Sequence, residues 1–132
     1  MRKIVSANYR NEAELIAACP LAAAVKLIGG RWKLMLLWYV HHGLNRYSNL
    51  KATVPHISEK MLYQQLRELE RDGLVLRVVA GREVRYEPTE LARSLAPLLE
   101  RLEEWSRRHG IGAQLLRNTV REPAPAATER RA

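Results

Sequence analysis

In the stretch "ISEKMLYQQLRELERDGLV", Ile57 to Val75, apolar and polar positions sort onto opposite sides of one helix. At about 100° per residue, Leu62, Leu66 and Leu69 fall on one line, the spacing of a face packed against a core. Lys60, Gln64, Arg67 and Arg71 lie opposite them, and the acids Glu59, Glu68 and Glu70 sit on the flanks. The outermost stripe therefore carries only cationic groups and an amide. Ser58 is a good N-cap, Ile57 is placed to pack on Leu62 as a hydrophobic staple, and Asp72-Gly73 closes the helix.

Upstream, "NEAELIAACPLAAAVKLIGG" (11–30) predicts a helix interrupted at Cys19-Pro20 and ended by Gly29-Gly30. Pro20 suits the first turn of the new helix, where its missing N–H costs nothing. "RWKLMLLWYVHHG" (31–43) is apolar almost all round and predicts a central buried helix stopped by Gly43. "RYSNLKATV" (46–54) predicts a short helix with Ser48 as its candidate cap and Leu50 and Val54 as an i,i+4 pair, ended by Pro55. Helix, tight turn and helix are thus written locally.

Beyond Gly73 the period changes to two. Leu74, Leu76 and Val78 share one face of "LVLRVV" (74–79), and Val84 and Tyr86 share one face of "EVRYE" (83–87), which predicts a hairpin joined at "AGR" (80–82) with a basic tip. Thr89 then caps a long helix whose apolar positions Leu91, Leu95, Leu98, Leu99, Leu102 and Trp105 run to Gly110, kinked or split by Pro97. A stripe of that length exceeds the needs of a small core. It asks for a partner helix, most simply from a second copy of the chain, with Leu98, Leu99, Leu102 and Trp105 as the candidate dimer contacts. Residues 111–120 allow a short last helix, and 121–132 have the composition of a disordered tail. The expected organisation is an N-terminal arm or helix at 1–18, a domain at 19–110 that includes the dimerisation helix, then the short helix and the tail.

Charge adds direction to this outline. Over 132 residues the formal charge is +8 and the pI about 10.1, which favours a polyanionic partner. Cys19 is the only cysteine, so an intrachain disulfide framework and a multi-thiolate metal cage are excluded and a reducing cytoplasm is the expected setting. The residues "LIAAC" imitate a lipoprotein processing site, but Arg10, Glu12 and Glu14 interrupt the apolar region such a site needs. No stretch approaches the ~20 apolar residues of a membrane span. Gly-rich phosphate loops, Ser-His-Asp order and paired-carboxylate motifs are lacking, and the histidines have no metal-ligand spacing, so no catalytic residue, cofactor or metal is expected.

Assembled, the order is a buried helix, a short helix, a turn, an amphipathic helix with a cationic stripe, and a basic hairpin. That is the order of a winged helix-turn-helix, mainly α with a small β-hairpin wing. The major groove of double-stranded DNA admits one helix, and the second helix of such a motif enters it N-terminus first. Lys60 then reaches a guanine edge or a phosphate, and Gln64 has the amide geometry for adenine. Tyr63 on the flank suits a phosphate or a thymine methyl, and Arg67 the backbone or solvent. Arg46, Ser48, Lys51, Arg82 and Arg85 are phosphate candidates, which position a protein without reading sequence.

The segments "CPLAAAVKLIGGRWKLMLLWYV", "RYSNLK", "ISEKMLYQQLRELERDGLVLR" and "RYEPTELARSLAPLLERLEEW" together resemble the HxlR family of bacterial transcriptional regulators, winged-helix relatives of the MarR type. The resemblance spans about residues 19–105. It implies a homodimeric regulator, a repressor in the first instance, held by N- and C-terminal dimerisation helices, with two recognition helices on a pseudo-palindromic operator. It carries the recognition positions over to Ser58, Lys60, Met61 and Gln64, and the wing to the residues around Arg82. The wing lacks the proline-containing extension common in that family. Cys19 precedes Pro20 at a helix N-terminus, where aligned N–H dipoles favour a thiolate, and the resemblance implies a sensor of quinones, aldehydes or oxidants there. A small buried hydrophobe is the alternative for Cys19. Two further alternatives stay open: control by a small aromatic ligand bound among Trp32, Trp38 and Trp105, and a winged-helix module that binds protein partners without DNA.

Overall fold

A computed structural model of the chain describes residues 7–119. The start of the expected arm and the 121–132 tail lie outside the described residues. In order come α1 (Ala7–Ala18), α2 (Pro20–Ile28), α3 (Lys33–His41), α4 (Tyr47–Thr53), α5 (Glu59–Arg71), β1 (Val75–Ala80), β2 (Glu83–Pro88), α6 (Glu90–Arg108) and α7 (Ile111–Thr119). The fold class is the expected one, mostly helical with a two-stranded antiparallel hairpin. The chain divides into two compact units between Leu95 and Ala96, inside the helix that the sequence places wholly in one domain.

In the first unit, α1 and α2 pack on each other and meet at Cys19, the N-cap of α2, with Pro20 following it. Gly29 ends α2, its N–H donating to the Val25 carbonyl at 2.7 Å. Helix α3 contributes Leu36, Leu37 and Val40 to the core. It is not buried all round: Met35 reaches solvent and Lys33 is buried, because its ammonium pairs with the Asp72 carboxylate at the end of α5. The apolar line of α5, Leu62, Leu66 and Leu69, closes this core together with Leu50, Val54 and Ile57.

The tight turn between α4 and α5 passes through His56 in the left-handed region, and the Lys51 ammonium donates to the Ile57 carbonyl at 2.9 Å across it. Ser58 caps α5, accepting from the Met61 N–H at 3.1 Å, and the staple residues Ile57 and Leu62 are both buried. Ser48 does not cap α4. That helix starts two residues earlier, with Arg46 at the cap position, so the Ser48 hydroxyl lies inside the first turn and caps nothing.

The hairpin pairs Val75 with Pro88, Arg77 with Tyr86, Val79 with Val84 and Ala80 with Glu83, which leaves Gly81-Arg82 as a two-residue turn, shorter than the expected "AGR". Gly81 has φ +64 and Arg82 does not share the left-handed region, as a type II′ hairpin turn requires. The core face is also shifted by one residue. Leu74 is buried in the bend before the strand, where its N–H donates to the Leu69 carbonyl, so Val75 and Tyr86 point inward while Leu76 and Val78 are exposed. "LVLRVV" is apolar on both faces, and period alone could not choose between them.

Thr89 caps α6, accepting from the Ala92 N–H at 3.2 Å while its hydroxyl donates to the Gly73 carbonyl at 2.6 Å. The helix runs through Pro97 and is not split there. In the second unit, Leu98, Leu102 and Trp105 are exposed on one line of α6, and Leu115 and Leu116 are exposed on α7. Leu99 is already buried, which leaves it little surface to offer a partner. Glu103 with Arg107 and Glu104 with Arg108 form i,i+4 pairs on the polar side.

Candidate nucleic-acid interface

The outer face of α5 is the first part of the site. Lys60, Tyr63, Gln64 and Arg67 are exposed, and the buried leucines behind them hold the helix against the core, so these side chains project from a fixed backbone. Arg67 donates to the Tyr63 hydroxyl at 2.9 Å, with its guanidinium 5.5 Å from the ring centre, so the two form one unit on the flank. Among the described residues no ion pair engages Lys60 or Arg82. Met61 is half-buried beneath Gln65, whose amide donates to its sulfur at 3.6 Å, which turns it partly away from a groove-facing role.

The second part is a cleft of about 600 Å³ between α5, α4 and the hairpin. Arg46, Arg77 and Arg82 line it with Tyr47, Tyr63 and Tyr86. Glu83 supplies a carboxylate to the same wall and holds two of the expected phosphate contacts: Arg46 pairs with it, and the Arg85 guanidinium donates to it at 3.2 Å. A β-bridge between Arg46 and Arg85 and a 2.7 Å bond from the Tyr86 N–H to the Asn45 carbonyl fasten the wing to the start of α4. Lys51, expected to meet phosphate, is instead committed to the turn between α4 and α5. Burial raises the Tyr86 phenol above its ordinary 10.0, partly offset by the neighbouring Arg77 guanidinium. Tyr47 is raised too, by burial first and then by the negative charge of Glu59. Both phenols therefore stay protonated donors at neutral pH.

Tyr47, Arg77, Glu83 and Tyr86 of this cleft were not singled out as binding residues by the sequence pattern. The usable signal was cross-strand: in a two-residue-turn hairpin Arg77 falls directly opposite Tyr86, and the two share a face.

The third part lies apart from these. Cys19 is half-buried in an apolar groove of about 430 Å³ between α1 and α2, walled by Leu15, Leu21 and Val25 and bridged by the Glu12–Lys26 ion pair at 2.6 Å. Glu12 raises the Lys26 ammonium by hydrogen bonding and then by charge. Of the tryptophans, Trp38 packs against His42 and Trp105 against His109, each pair of rings tilted rather than stacked. Among the described residues no cluster of three or more His, Cys, Asp or Glu is placed to hold a metal ion, and no helix is long and apolar enough to cross a membrane.

Comparison with known proteins bears on this site. The profile of the HxlR-like helix-turn-helix family matches residues 27–113. The chain is similar to the HTH-type transcriptional regulator YtcD of Bacillus subtilis, 44% identical over 66% of this chain and 71% of that one. It is also similar to YkvN of the same organism, 42% identical over 67% and 77%. Among solved structures, the redox regulator HypR in its reduced form superposes with a TM-score of 0.68 at 33% identity, covering 73% of this chain and 98% of that one. The reduced form of the transcriptional regulator YodB from B. subtilis superposes at 0.59 and 32% identity, covering 67% and 90%.

Proposed function

From the premise that the chain belongs to the HxlR-like helix-turn-helix family of transcriptional regulators, we propose that it binds double-stranded DNA as a homodimer and represses from a pseudo-palindromic operator. The observation that carries this reading is the exposed row of Lys60, Gln64 and Arg67 on α5, set beside an arginine-lined cleft. Ser58, Lys60 and Gln64 at the N-terminal half of α5 face base edges, Gln64 being the residue suited to adenine, and Met61 reaches them only with the part that its contact with Gln65 leaves exposed. Ser48, Tyr63, Arg67 and Arg82 meet the backbone, as do Arg46 and Arg85 through guanidinium N–H groups not used on Glu83. Lys51 has the weakest claim, given its bond to Ile57.

The exposed line Leu98, Leu102 and Trp105 supports pairing with a second copy. The likeness to HypR, known in oxidised and reduced forms, supports a thiol switch at Cys19. Modification of that thiol inside its groove would change how α1 sits on α2.

The test is a gel shift with DNA upstream of the chain's own gene. Protein neutralising about 6–10 phosphates loses roughly three to five decades of affinity between 50 and 200 mM salt. The reduced protein is expected to bind with that steep salt dependence, diamide or a quinone to alter binding, and Cys19→Ser to make it indifferent. Binding unmoved by oxidant in both proteins removes the switch, and no shift at low salt removes the DNA reading.

A further inference from the structure

The cleft between α5 and the wing holds charged and phenolic groups beyond the residues assigned to DNA from the sequence, chiefly Arg77, Tyr47 and Tyr86. We propose that this cleft seats a phosphate of the DNA backbone, with the Arg77 guanidinium as its main charged contact and the Tyr47 hydroxyl as a second donor. The proposal deepens the DNA-binding reading and rests on it.

Five observations converge on a phosphodiester. The cleft, about 600 Å³, has room for a phosphate with its flanking sugars. Its wall sets the guanidiniums of Arg46, Arg77 and Arg82 against the single carboxylate of Glu83, which Arg46 and Arg85 already more than neutralise, so the charge left over is positive, and Arg77 and Arg82 pair with no carboxylate among the described residues. Arg77 stands within a paired strand directly opposite the buried Tyr86, a firmer mount than the hairpin tip that carries Arg82. The protonated phenols add neutral O–H donors, which suit phosphate oxygens. The cleft also borders Tyr63 of α5, so a strand followed from the major groove toward the wing passes over it.

An arginine on phosphate differs from one on a base edge in a measurable way. Its loss weakens all sequences alike and lowers the salt dependence. Fluorescence anisotropy of the full chain on an operator duplex and on a random duplex, from 50 to 200 mM salt, separates the cases. For Arg77→Gln we expect the same fold loss on both duplexes and a salt slope smaller by about 0.9 for each protomer engaged. Arg77→Lys keeps the charge, so it should restore the slope while leaving affinity below wild type, because an ammonium lacks the guanidinium fork.

An unchanged slope in Arg77→Gln, with wild type binding normally, overturns the phosphate seat and leaves the DNA reading standing. Wild type without salt-dependent binding to either duplex overturns both. Should Arg77→Gln fail to melt cooperatively, the decisive measurement is wild type on duplexes carrying a neutral methylphosphonate at successive positions. A position where that neutralisation weakens wild type by more than it weakens Arg77→Lys supports the seat by the lost fork; penalties equal in the two proteins at every position overturn it. A rise in melting temperature with millimolar inorganic phosphate, alongside an unchanged slope in Arg77→Gln, assigns the cleft to a free anion and likewise overturns it.

Discussion

Removing the carboxylate of Asp72 should destabilise the protein far more than removing the ammonium of Lys33, although the two form one ion pair. The Lys33 side chain is only 9% exposed at the start of α3, and Asp72 at the end of α5 is 22% exposed. The pair pins the far end of the helix assigned to DNA onto the central helix of the core. Breaking a buried pair from one side costs roughly 3–5 kcal/mol, because the remaining charge is left without its counter-ion. Asp72→Ala strands a buried ammonium; since water reaches the Asp72 side, about 2–3 kcal/mol is expected. For a domain of this size that is a fall in Tm of roughly 10 °C. Lys33→Met keeps the aliphatic stem and leaves behind a carboxylate that can rehydrate, so the loss should stay below about 1 kcal/mol. The double variant should match Lys33→Met, a coupling of roughly 2–3 kcal/mol. Urea unfolding followed by circular dichroism measures all three. Additive losses, or a Lys33→Met loss as large as that of Asp72→Ala, would refute the argument.

Smaller perturbations follow from local geometry. Ser58→Ala removes the cap of α5 and should cost about 1 kcal/mol in the same unfolding assay, while Ser48→Ala, at a position that caps nothing, should be nearly silent. Gly29→Ala places a Cβ 2.6 Å from the Val25 carbonyl oxygen, so the α2 terminus must shift and Tm should fall. For Tyr86 the folded phenol is raised above 10.0, so it favours the fold below the unfolded value and the benefit is lost as pH climbs through the raised one. Wild type should therefore lose stability above about pH 10 more steeply than Tyr86→Phe, read from Tm across pH 8 to 11. Equal pH dependence of the two proteins would contradict the burial assigned to that phenol.

Much of the fold was legible because its signals are local. Ser58 with Ile57 and Leu62, the Asp72-Gly73 stop, the Cys19-Pro20 break and the helical spacing of Leu62, Leu66 and Leu69 each act within a few residues, and the structure keeps them all. What escaped depends on pairing across the chain. The inward face of β1 is set by the bend at Leu74, which no alternation within "LVLRVV" reveals. Lys33 reads as a solvent charge at a helix start until Asp72, thirty-nine residues on, is brought beside it. The candidate interface divides along the same line. Lys60, Gln64 and Arg67 show themselves by helical period alone, whereas the cleft needs the hairpin register to bring Arg77 to Tyr86 and Glu83 to Arg46. The bond from Lys51 to the Ile57 carbonyl escaped for the same reason, since that partner lies across the turn.

The central claim is that α5 reads bases while the wing holds the backbone. It is tested most directly by measuring the affinity of wild type, Gln64→Ala and Arg82→Ala for an operator and for its full set of single base-pair substitutions at fixed salt. The account predicts that Gln64→Ala flattens discrimination at one position in each half-site, by about 1–3 kcal/mol, and that Arg82→Ala weakens every duplex by the same factor. Uniform weakening by both variants, or discrimination untouched by Gln64→Ala, would contradict it.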